Sequence, residues 1–350
     1  MIDREPLAYA TLAEIEEFAA KVLPDFAHGY YASGARDERT LRANVAAWDR
    51  WWILPRVLVD ITGVSLTTRI LGIEARLPIL SAPLALQRMA HPDGELAVAR
   101  AAAAAGAVMV LSTSTSTPVE EVAAVPGLDF LFQLYPFEDT GETDALIDRA
   151  LAAGAKGIVL TVDVAIAREA KRRPRGGLVR PDWAQWPLHP REPEVIRVLD
   201  WAYVERLRAR LPVPLVLKGI LHPADALRAA DAGADAVVVS NHGGRMLDGT
   251  VATAEMLPEV VDALAGRIDA WVDGGVRRGS DTLRALALGA RAVLVGRPIL
   301  WGLAVAGEAG VRRTLAVLET ELREDAARAG VTDVADVPRD LVRTSRIGVS

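Results

Sequence analysis

The stretch Ala-Gly-Ala-Asp-Ala-Val-Val-Val-Ser-Asn-His-Gly-Gly-Arg, residues 232–245, contains the unit from which this fold is built. Gly233 is suited to end a helix, because glycine readily adopts the left-handed conformation found after a helix C-terminus. Every residue from Ala236 to Val239 is apolar, as in a parallel strand buried on both faces. Polar residues and glycines then begin abruptly at Ser240. This order predicts an α/β fold with functional residues after its strands.

The same unit recurs along the chain. Gly-Ala pairs at residues 106–107, 154–155 and 289–290 each follow an alanine-rich segment and precede an apolar run. Together with the runs between them, they give eight predicted strands, at residues 79–80, 108–111, 130–132, 158–160, 215–217, 237–239, 270–272 and 293–295. Eight helix–strand alternations favour a closed (β/α)8 TIM barrel. An open doubly wound sheet is the alternative, but no GxGxxG motif follows the first strand.

The remaining segments flank or interrupt this repeat, so we predict a single domain over residues 1–350. Residues 1–75 are expected to form an N-terminal helical extension, with a capped helix beginning after Thr11, a second helix over Arg36–Ala47 and an irregular stretch over Trp48–Val59. The barrel is expected over residues 76–310 and a C-terminal helical segment over residues 311–350.

A long loop is predicted at residues 164–199, after the fourth barrel strand. It contains five prolines, a basic run at residues 171–175 and two tryptophans, Trp183 and Trp186. A loop in this place lies over the catalytic face of a barrel, so we expect a lid.

Composition narrows the function classes. Of the 350 residues, 51% are hydrophobic and 25% charged, which is typical of a globular protein with a large core. A net charge of −6 argues against nucleic acid as a partner. The chain has no cysteine, which excludes disulfides and thiolate metal sites, and no metal site is predicted. Residues 1–6 lack a signal-peptide core and no apolar run reaches membrane-spanning length, so a cytoplasmic protein is expected.

The residues after the predicted strands carry the chemistry. His242, after the sixth strand, can accept a proton near neutral pH, and Arg245 can hold a carboxylate by two parallel hydrogen bonds. The alternative is that His242 only caps or packs a turn. Glycines with an arginine follow the seventh and eighth strands at Asp273–Arg277 and Gly296–Arg297, an arrangement typical of barrel phosphate sites. The other histidines are expected to be structural or surface residues: His28, His91, His189 and His222.

Several ordered motifs resemble those of the FMN-dependent α-hydroxy acid oxidases and dehydrogenases, the group of glycolate oxidase, lactate oxidase and mandelate dehydrogenase or hydroxymandelate oxidase. The similarity runs nearly end to end. Its motifs are Tyr30–Ala35, Leu54–Arg56, Met89–Glu95, Gln133–Tyr135, Ser240–Arg245, Asp273–Gly279 and Gly296–Pro298.

The resemblance implies a role for each residue on the substrate side. His242 would remove the α-hydroxyl proton while the Cα hydrogen goes to flavin N5, and Asp163 would pair with the protonated His242. Arg245 and the Tyr30 hydroxyl would hold the substrate carboxylate, and Tyr135 would contact the reacting oxygen.

The resemblance also implies the FMN contacts. Lys218 would stabilise the anionic reduced flavin near N1. The flavin ring would be lined by Ala82, Pro83, Ala85, Ser112, Gln133 and Thr161. The ribityl phosphate would be held by Asp273, Gly275, Arg277, Gly296 and Arg297.

The substrate side departs from the family pattern. After Asp163 the chain is shorter, and Arg168 is the candidate replacement for an additional active-site arginine. Ser114 stands where glycolate oxidase has a tryptophan, and Leu84 where a threonine is common. A roomier, more apolar pocket is therefore expected, although a lid tryptophan could refill it.

The resulting prediction is FMN-dependent oxidation of an (S)-2-hydroxy acid with a bulky, mandelate-like side chain. Ala85, where other members have glycine, favours O2 as acceptor and H2O2 as product, with a quinone or dye acceptor as the alternative. Family resemblance alone implies a homotetramer. Competing hypotheses are an FMN-dependent isomerase, a flavin-free barrel lyase or isomerase acting on a phosphorylated metabolite, and a flavin-binding protein without catalysis.

Overall fold

The computed structural model describes residues 10–164 and 199–344. The N-terminal extension begins with α1, whose predicted cap is present: Thr11 Oγ1 accepts a hydrogen bond from the Glu14 backbone N–H, and the Glu14 carboxylate accepts one from Thr11 N–H. A 3₁₀ turn at Ala47–Arg50 follows α3. The helices of the extension are α1 (Leu12–Val22), α2 (Asp25–Ala32) and α3 (Arg39–Ala46), and its strands are β1 (Trp51–Ile53), β2 (Thr68–Ile70) and β3 (Ile73–Ala75).

The predicted (β/α)8 barrel is confirmed. Eight strands of the described chain form a closed parallel barrel, with the last strand pairing with the first. The barrel strands are β4 (Ile79–Ser81), β5 (Met109–Ser112), β6 (Phe130–Leu134), β7 (Ile158–Thr161), β8 (Leu215–Ile220), β9 (Ala236–Val239), β10 (Asp269–Asp273) and β11 (Ala292–Val295). All eight coincide with the predicted apolar runs to within a few residues.

Helices surround the barrel. They are α4 (Gly94–Ala105), α5 (Val119–Ala123), α6 (Thr140–Ala152), α7 (Trp201–Arg210), α8 (Pro223–Asp231), α9 (Thr253–Leu264), α10 (Gly279–Ala287) and α11 (Arg297–Ala329). Alternate strand residues such as Leu80, Val110 and Val238 fill the barrel interior, and their neighbours pack against the helices. The interior cluster also includes Ile70 and Ala75 of the β2–β3 hairpin. The interior is therefore a packed core, as in other barrels of this kind.

The flanking segments differ from the sequence prediction in four places. Helix α2 was not predicted, and the helix predicted from Arg36 begins at Arg39, because Arg36 and Glu38 have positive φ. The stretch Trp48–Val59 contains strand β1, which pairs with the C-terminal strand β12 (Val342–Thr344). In the C-terminal segment the α-helix ends at residue 329, where Gly330 caps α11 in the left-handed conformation, and two 3₁₀ turns follow at Val334–Asp336 and Arg339–Leu341. In the described ranges, no helix is long and apolar enough to cross a membrane. The predicted lid falls almost entirely on residues 165–198, outside the described residues.

Candidate active site

A single cleft at the C-terminal ends of the barrel strands collects most of the predicted site residues. It encloses about 1010 Å³ of empty space, including its open mouth. The predicted residues that line it are Tyr30, Ala82, Pro83, Ala85, Ser112, Ser114, Tyr135, Thr161, Lys218, His242, Arg245, Asp273, Gly275, Arg277, Gly296 and Arg297. Leu84 lines it as well. Lining residues that the sequence reasoning did not assign are Tyr31, Gly243, Gly274, Val276, Leu294, Val295 and Leu300.

Two predicted residues lie just behind the cleft wall. Asp163 lies behind His242 and contacts its ring. Gln133 lies behind Ser112, whose hydroxyl donates to Gln133 Oε1 at 3.0 Å. Gln133 Nε2 is buried with no hydrogen-bond partner in the described chain. Arg168 lies outside the described residues.

The histidine is held in one orientation by the aspartate. His242 Nδ1 lies 2.9 Å from Asp163 Oδ1, and both side chains are largely buried. Burial acts to raise the pKa of Asp163, but His242 and Lys218 outweigh it, so the pKa lies below its usual value. The carboxylate is therefore charged at neutral pH, and a charged carboxylate accepts the proton on Nδ1. This leaves Nε2 as the nitrogen that can act as a base.

A buried ion pair lies beside this dyad. Lys218 Nζ is 3.0 Å from Asp273 Oδ2 and also donates to the Ser240 hydroxyl at 3.0 Å. Burial acts to lower the Lys218 pKa, but Asp273 and Asp163 outweigh it, so the pKa lies above its usual value. The ammonium thus stays charged at the cleft wall. The backbone N–H of His242 donates to the same Ser240 hydroxyl at 3.1 Å, so Ser240 connects the cation to the histidine turn.

Arg245 is anchored by neutral groups. Its Nη1 donates to the backbone carbonyls of Tyr30, Tyr31 and Ser33, at the C-terminus of α2, and its guanidinium lies 5.3 Å from the Tyr30 ring centroid. Carbonyl oxygens at a helix C-terminus carry partial negative charge, which favours a cation without neutralising it. The positive charge of Arg245 is therefore available to an anion in the cleft.

Tyr135 is a proton donor at the same wall. Burial raises the pKa of its phenol well above the usual range, and the nearby Asp163 and Tyr30 act in the same direction. Arg245 and a hydrogen bond with Thr161 oppose the shift without cancelling it. The hydroxyl therefore stays protonated and can donate to an oxygen of a bound molecule.

The other end of the cleft is built from the turns after β10 and β11. Gly275 has φ +82°, and a Cβ there would overlap the Asn44 carbonyl. The Asp281 carboxylate accepts hydrogen bonds from the backbone N–H groups of Arg277 and Arg278, at 2.9 and 3.0 Å, and fixes the turn that starts α10. The glycine turn after β10 and the Arg277 side chain, both on the cleft, suit a phosphate.

Arg297, predicted as a phosphate contact, lines the cleft and also bonds to backbone carbonyls of two segments. Its Nε and Nη2 donate to the carbonyls of Tyr31 and Ser33, at 3.1 and 3.3 Å. Its Nη1 donates to the Gly243 carbonyl at 3.1 Å. The guanidinium therefore connects the C-terminus of α2 to the histidine turn, and Arg297 lines the cleft from that position.

The cleft fits FMN by three observations. Gln133 Nε2 and Asp273 Oδ1 are buried polar atoms without hydrogen-bond partners in the described chain. A flavin ring would supply a partner to the first atom, and a ribityl chain would supply one to the second. The glycine turn after β10 brings backbone close to the cleft, and Arg277 adds positive charge. Lys218 provides a buried cation for a ring that becomes anionic on reduction.

Sequence reasoning missed residues that hold the histidine turn in place. Asn241 exchanges two hydrogen bonds of 2.8 Å with Asn44 of α3, and its Oδ1 also accepts from Gly244 N–H. Ser240 and Asn241 directly precede His242, so their position was a usable signal. Asn44 offered none, since it is nearly 200 residues away in the chain. Within residues 10–164 and 199–344, no cluster of three or more potential metal ligands occurs.

Comparison with known proteins finds relatives that match nearly the whole chain. A model of the FMN-dependent dehydrogenase family matches residues 19–344. The chain is 45% identical to an L-lactate oxidase of Nostoc sp., over 93% of this chain and 96% of that protein. It is 44% identical to a 4-hydroxymandelate oxidase of Amycolatopsis orientalis, over 95% and 98%. A crystal structure of mandelate oxidase with (S)-2-phenylpropionate superimposes with a TM-score of 0.91 at 44% identity, covering 96% of this chain and 98% of that one.

Proposed function

Because this chain belongs to the FMN-dependent dehydrogenase family, whose relatives include 2-hydroxy acid oxidases, we propose that it oxidises an (S)-2-hydroxy acid to the 2-oxo acid. The alcohol loses two electrons and two protons, and O2 takes up both to give H2O2. The observation that carries the proposal is the shared cleft of the His242–Asp163 pair and Arg245. Oxidation of a 2-hydroxy acid requires a base for the hydroxyl proton and a group that binds the adjacent carboxylate, and this cleft contains both.

The proton transfer is assigned to His242. Its Nε2 accepts the α-hydroxyl proton, since Nδ1 is engaged by Asp163 at 2.9 Å. The resulting imidazolium is stabilised by the buried carboxylate, which is charged beforehand. FMN bound in this cleft would supply the acceptor for the two electrons and the hydrogen that leave the substrate Cα.

Three side chains orient the acid. Arg245 and the Tyr30 hydroxyl bind the carboxylate, and the protonated Tyr135 donates to the reacting oxygen. Because Arg245 rests on carbonyls rather than on a carboxylate, no anionic side chain of residues 10–164 and 199–344 forms an ion pair with it in competition with the substrate. Arg168 stays a prediction from the sequence, as an additional arginine in contact with the substrate.

The residues that would hold FMN follow the cleft from ring to phosphate. Lys218 supplies positive charge to the ring near N1. The ring contacts are assigned to Ala82, Pro83, Ala85, Ser112, Gln133 and Thr161. Asp273 is assigned to the ribityl chain, and Gly275, Arg277 and Gly296 to the phosphate, with Arg297 placed beside them.

A bulky, aromatic side chain is the proposed specificity. Ser114 and Leu84 both line the cleft, and Ser114 presents a small side chain where glycolate oxidase has a tryptophan. Leu84 makes the wall more apolar and Ser114 leaves room, which together favour a phenyl group, with each buried methylene contributing about 0.8 kcal/mol. The relative named 4-hydroxymandelate oxidase supports this choice, whereas the one named L-lactate oxidase supports a small substrate.

Anaerobic titration of the purified flavoprotein with (S)-mandelate, (S)-lactate and glycolate tests the proposal. We expect bleaching of the flavin band by mandelate, with the highest kcat/KM for this acid, and formation of H2O2 once air is admitted. A higher kcat/KM for glycolate than for mandelate contradicts the proposed pocket for a bulky side chain. Bound flavin that no 2-hydroxy acid reduces contradicts oxidation altogether and points to an isomerase. Reduced enzyme that reacts with quinone but scarcely with O2 makes the protein a dehydrogenase.

Assembly and location remain proposals. A homotetramer is supported by family resemblance and by exposed apolar side chains on one short segment, including Trp52, Val57 and Leu58. Light scattering of the purified protein checks this assembly. The predicted cytoplasmic location is checked by cell fractionation.

A further inference from the structure

A fully buried carboxylate lies outside the cleft. Glu95, in the first turn of α4, has no solvent exposure, and no basic group of the described residues forms an ion pair with it. Its Oε1 accepts hydrogen bonds from the backbone N–H of Ser116 at 2.8 Å and of Gln87 at 3.2 Å. The hydroxyls of Ser116 and Thr117 donate to Oε2 at 2.7 and 2.9 Å. Burying a carboxylate is costly unless its hydrogen bonds are satisfied, and here they come from two separate segments.

These two segments are loops at the catalytic face. The β4 loop, residues 82–90, follows strand β4, and the β5 loop, residues 113–118, follows strand β5. They also bond directly: Leu86 N–H donates to the Ser114 carbonyl at 2.9 Å, and Arg88 N–H donates to the Ser116 hydroxyl at 3.0 Å. Glu95 thus lies at a junction that connects both loops to α4.

A glycine allows the helix to reach this junction. Gly94 precedes Glu95 with φ +43°, and a Cβ there would lie 2.6 Å from Arg88 Cγ and 3.0 Å from Arg88 N. A side chain at this position would push α4 away from the β4 loop. The close approach brings the Glu95 carboxylate within hydrogen-bond distance of Gln87 N–H.

Both loops present side chains to the cleft. Leu84 and Ala85 come from the β4 loop, and Ser114 from the β5 loop. Leu84 and Ser114 form the wall assigned above to the substrate side chain, whereas the carboxylate clamp at Tyr30 and Arg245 belongs to other elements. The β4 loop does contact α2, because the Leu86 carbonyl accepts a hydrogen bond from the Tyr31 hydroxyl at 2.6 Å. Arg245 is held by backbone carbonyls rather than by that hydroxyl, so we expect a change in the spacing of the two loops to alter side-chain fit more than carboxylate binding.

We infer that Glu95 is a positioning residue for substrate selectivity: its carboxylate fixes the β4 loop against the β5 loop and so sets the width of the side-chain pocket. The inference rests on the proposed function for the identity of that pocket. Glu95 does not line the cleft and acts through Leu84 and Ser114.

The test compares Glu95→Gln and Thr117→Val with Thr117→Ser as the matched control. Glutamine exchanges one acceptor oxygen for an N–H donor, and valine removes the hydroxyl that bonds Oε2, whereas serine keeps it. Dissociation constants of phenylacetate and acetate are measured by flavin difference spectra on the FMN-loaded protein, and Tm is recorded alongside. We expect the phenylacetate Kd to rise about five-fold or more in Glu95→Gln and Thr117→Val, as for one lost hydrogen bond. The acetate Kd should change less than about two-fold, and Thr117→Ser should resemble the wild type.

Two results overturn the inference. A lowered Tm with both dissociation constants unchanged makes Glu95 purely structural, and an equal rise in both constants means that the whole site is disturbed. If Glu95→Gln fails to fold, the Thr117 pair decides alone. These probes are not turned over, so failure of any 2-hydroxy acid to reduce the wild-type flavin would refute the proposed function separately.

Discussion

Replacing Asp163 by asparagine removes the charge that stabilises protonated His242 while keeping the size of the side chain. The two side chains are 2.9 Å apart and largely shielded from water. With an effective dielectric constant of about 20, opposite unit charges at that separation attract by roughly 6 kcal/mol. Partial exposure of His242 and the hydrogen bond that the amide still makes recover part of this energy. We expect a net loss of about 3 kcal/mol in the transition state, which slows the reaction on the order of 10²-fold.

The assay is anaerobic stopped-flow reduction of bound FMN by saturating (S)-mandelate. Asp235→Asn is the matched control, because Asp235 also accepts a backbone hydrogen bond, from Leu215 N–H at 2.8 Å, but at the opposite end of the barrel. FMN content should be unchanged in both variants. A reduction rate of Asp163→Asn within about three-fold of the wild type would refute the electrostatic role assigned to this carboxylate.

His242→Ala should keep FMN but lose flavin reduction by about 10²–10⁴-fold, and near-normal reduction would exclude His242 as the base. Arg297→Ala should impair FMN retention, measured after dialysis. It should also slow flavin reduction, because the side chain holds the histidine turn through the Gly243 carbonyl. Unchanged FMN retention with slow reduction would mean that Arg297 only holds the histidine turn and does not bind the phosphate. Gly275→Ala should abolish FMN binding, measured by flavin fluorescence, since a Cβ overlaps the backbone of α3 and the positive φ adds strain. The folded-state pKa of Asp163 lies below its usual value, so the charged carboxylate stabilises the fold above about pH 4, and this stabilisation is lost as pH falls through the lowered pKa. The difference in the free energy of unfolding in urea between the wild type and Asp163→Asn should therefore shrink below about pH 4. A difference that stays constant with pH would argue against the lowered pKa.

The barrel strands were predictable because each one is buried on both faces. A run such as Ala236–Val239 needs no partner to be recognised, and the Gly-Ala pair before it marks its start. Strand β1 lacks such a signal, since its pairing with β12 depends on residues almost 300 positions away. Helix α2 was missed because Gly29 and two adjacent tyrosines obscure its apolar spacing. The β2–β3 hairpin could have been found from the two-residue turn Leu71-Gly72.

For the site, strand-end position identified which residues face the cleft but not what holds them. His242 and Arg245 lie in the turn after β9, and Lys218 lies in the C-terminal half of the neighbouring strand β8, so the topology of a barrel places them together. The partners of Arg297 could not be derived in this way, because they are backbone carbonyls, which carry no sequence identity. The same limit applies to Glu95, whose motif resembles the family but whose hydrogen bonds depend on how two loops meet.

The C-terminus of α2, which holds both Arg245 and Arg297, has a consequence for biosynthesis. Its carbonyls, at Tyr31 and Ser33, are translated more than 200 residues before the arginines that bind them. A nascent chain therefore carries the anchor of its carboxylate clamp long before the clamp exists, and that helix end must stay solvated meanwhile. In a newly made molecule, Arg245 and Arg297 can form these hydrogen bonds only once α2 has packed against the turns that follow β9 and β11. For the same reason, transplanting this chemistry onto another barrel would require moving the N-terminal extension as well as the strand-end residues.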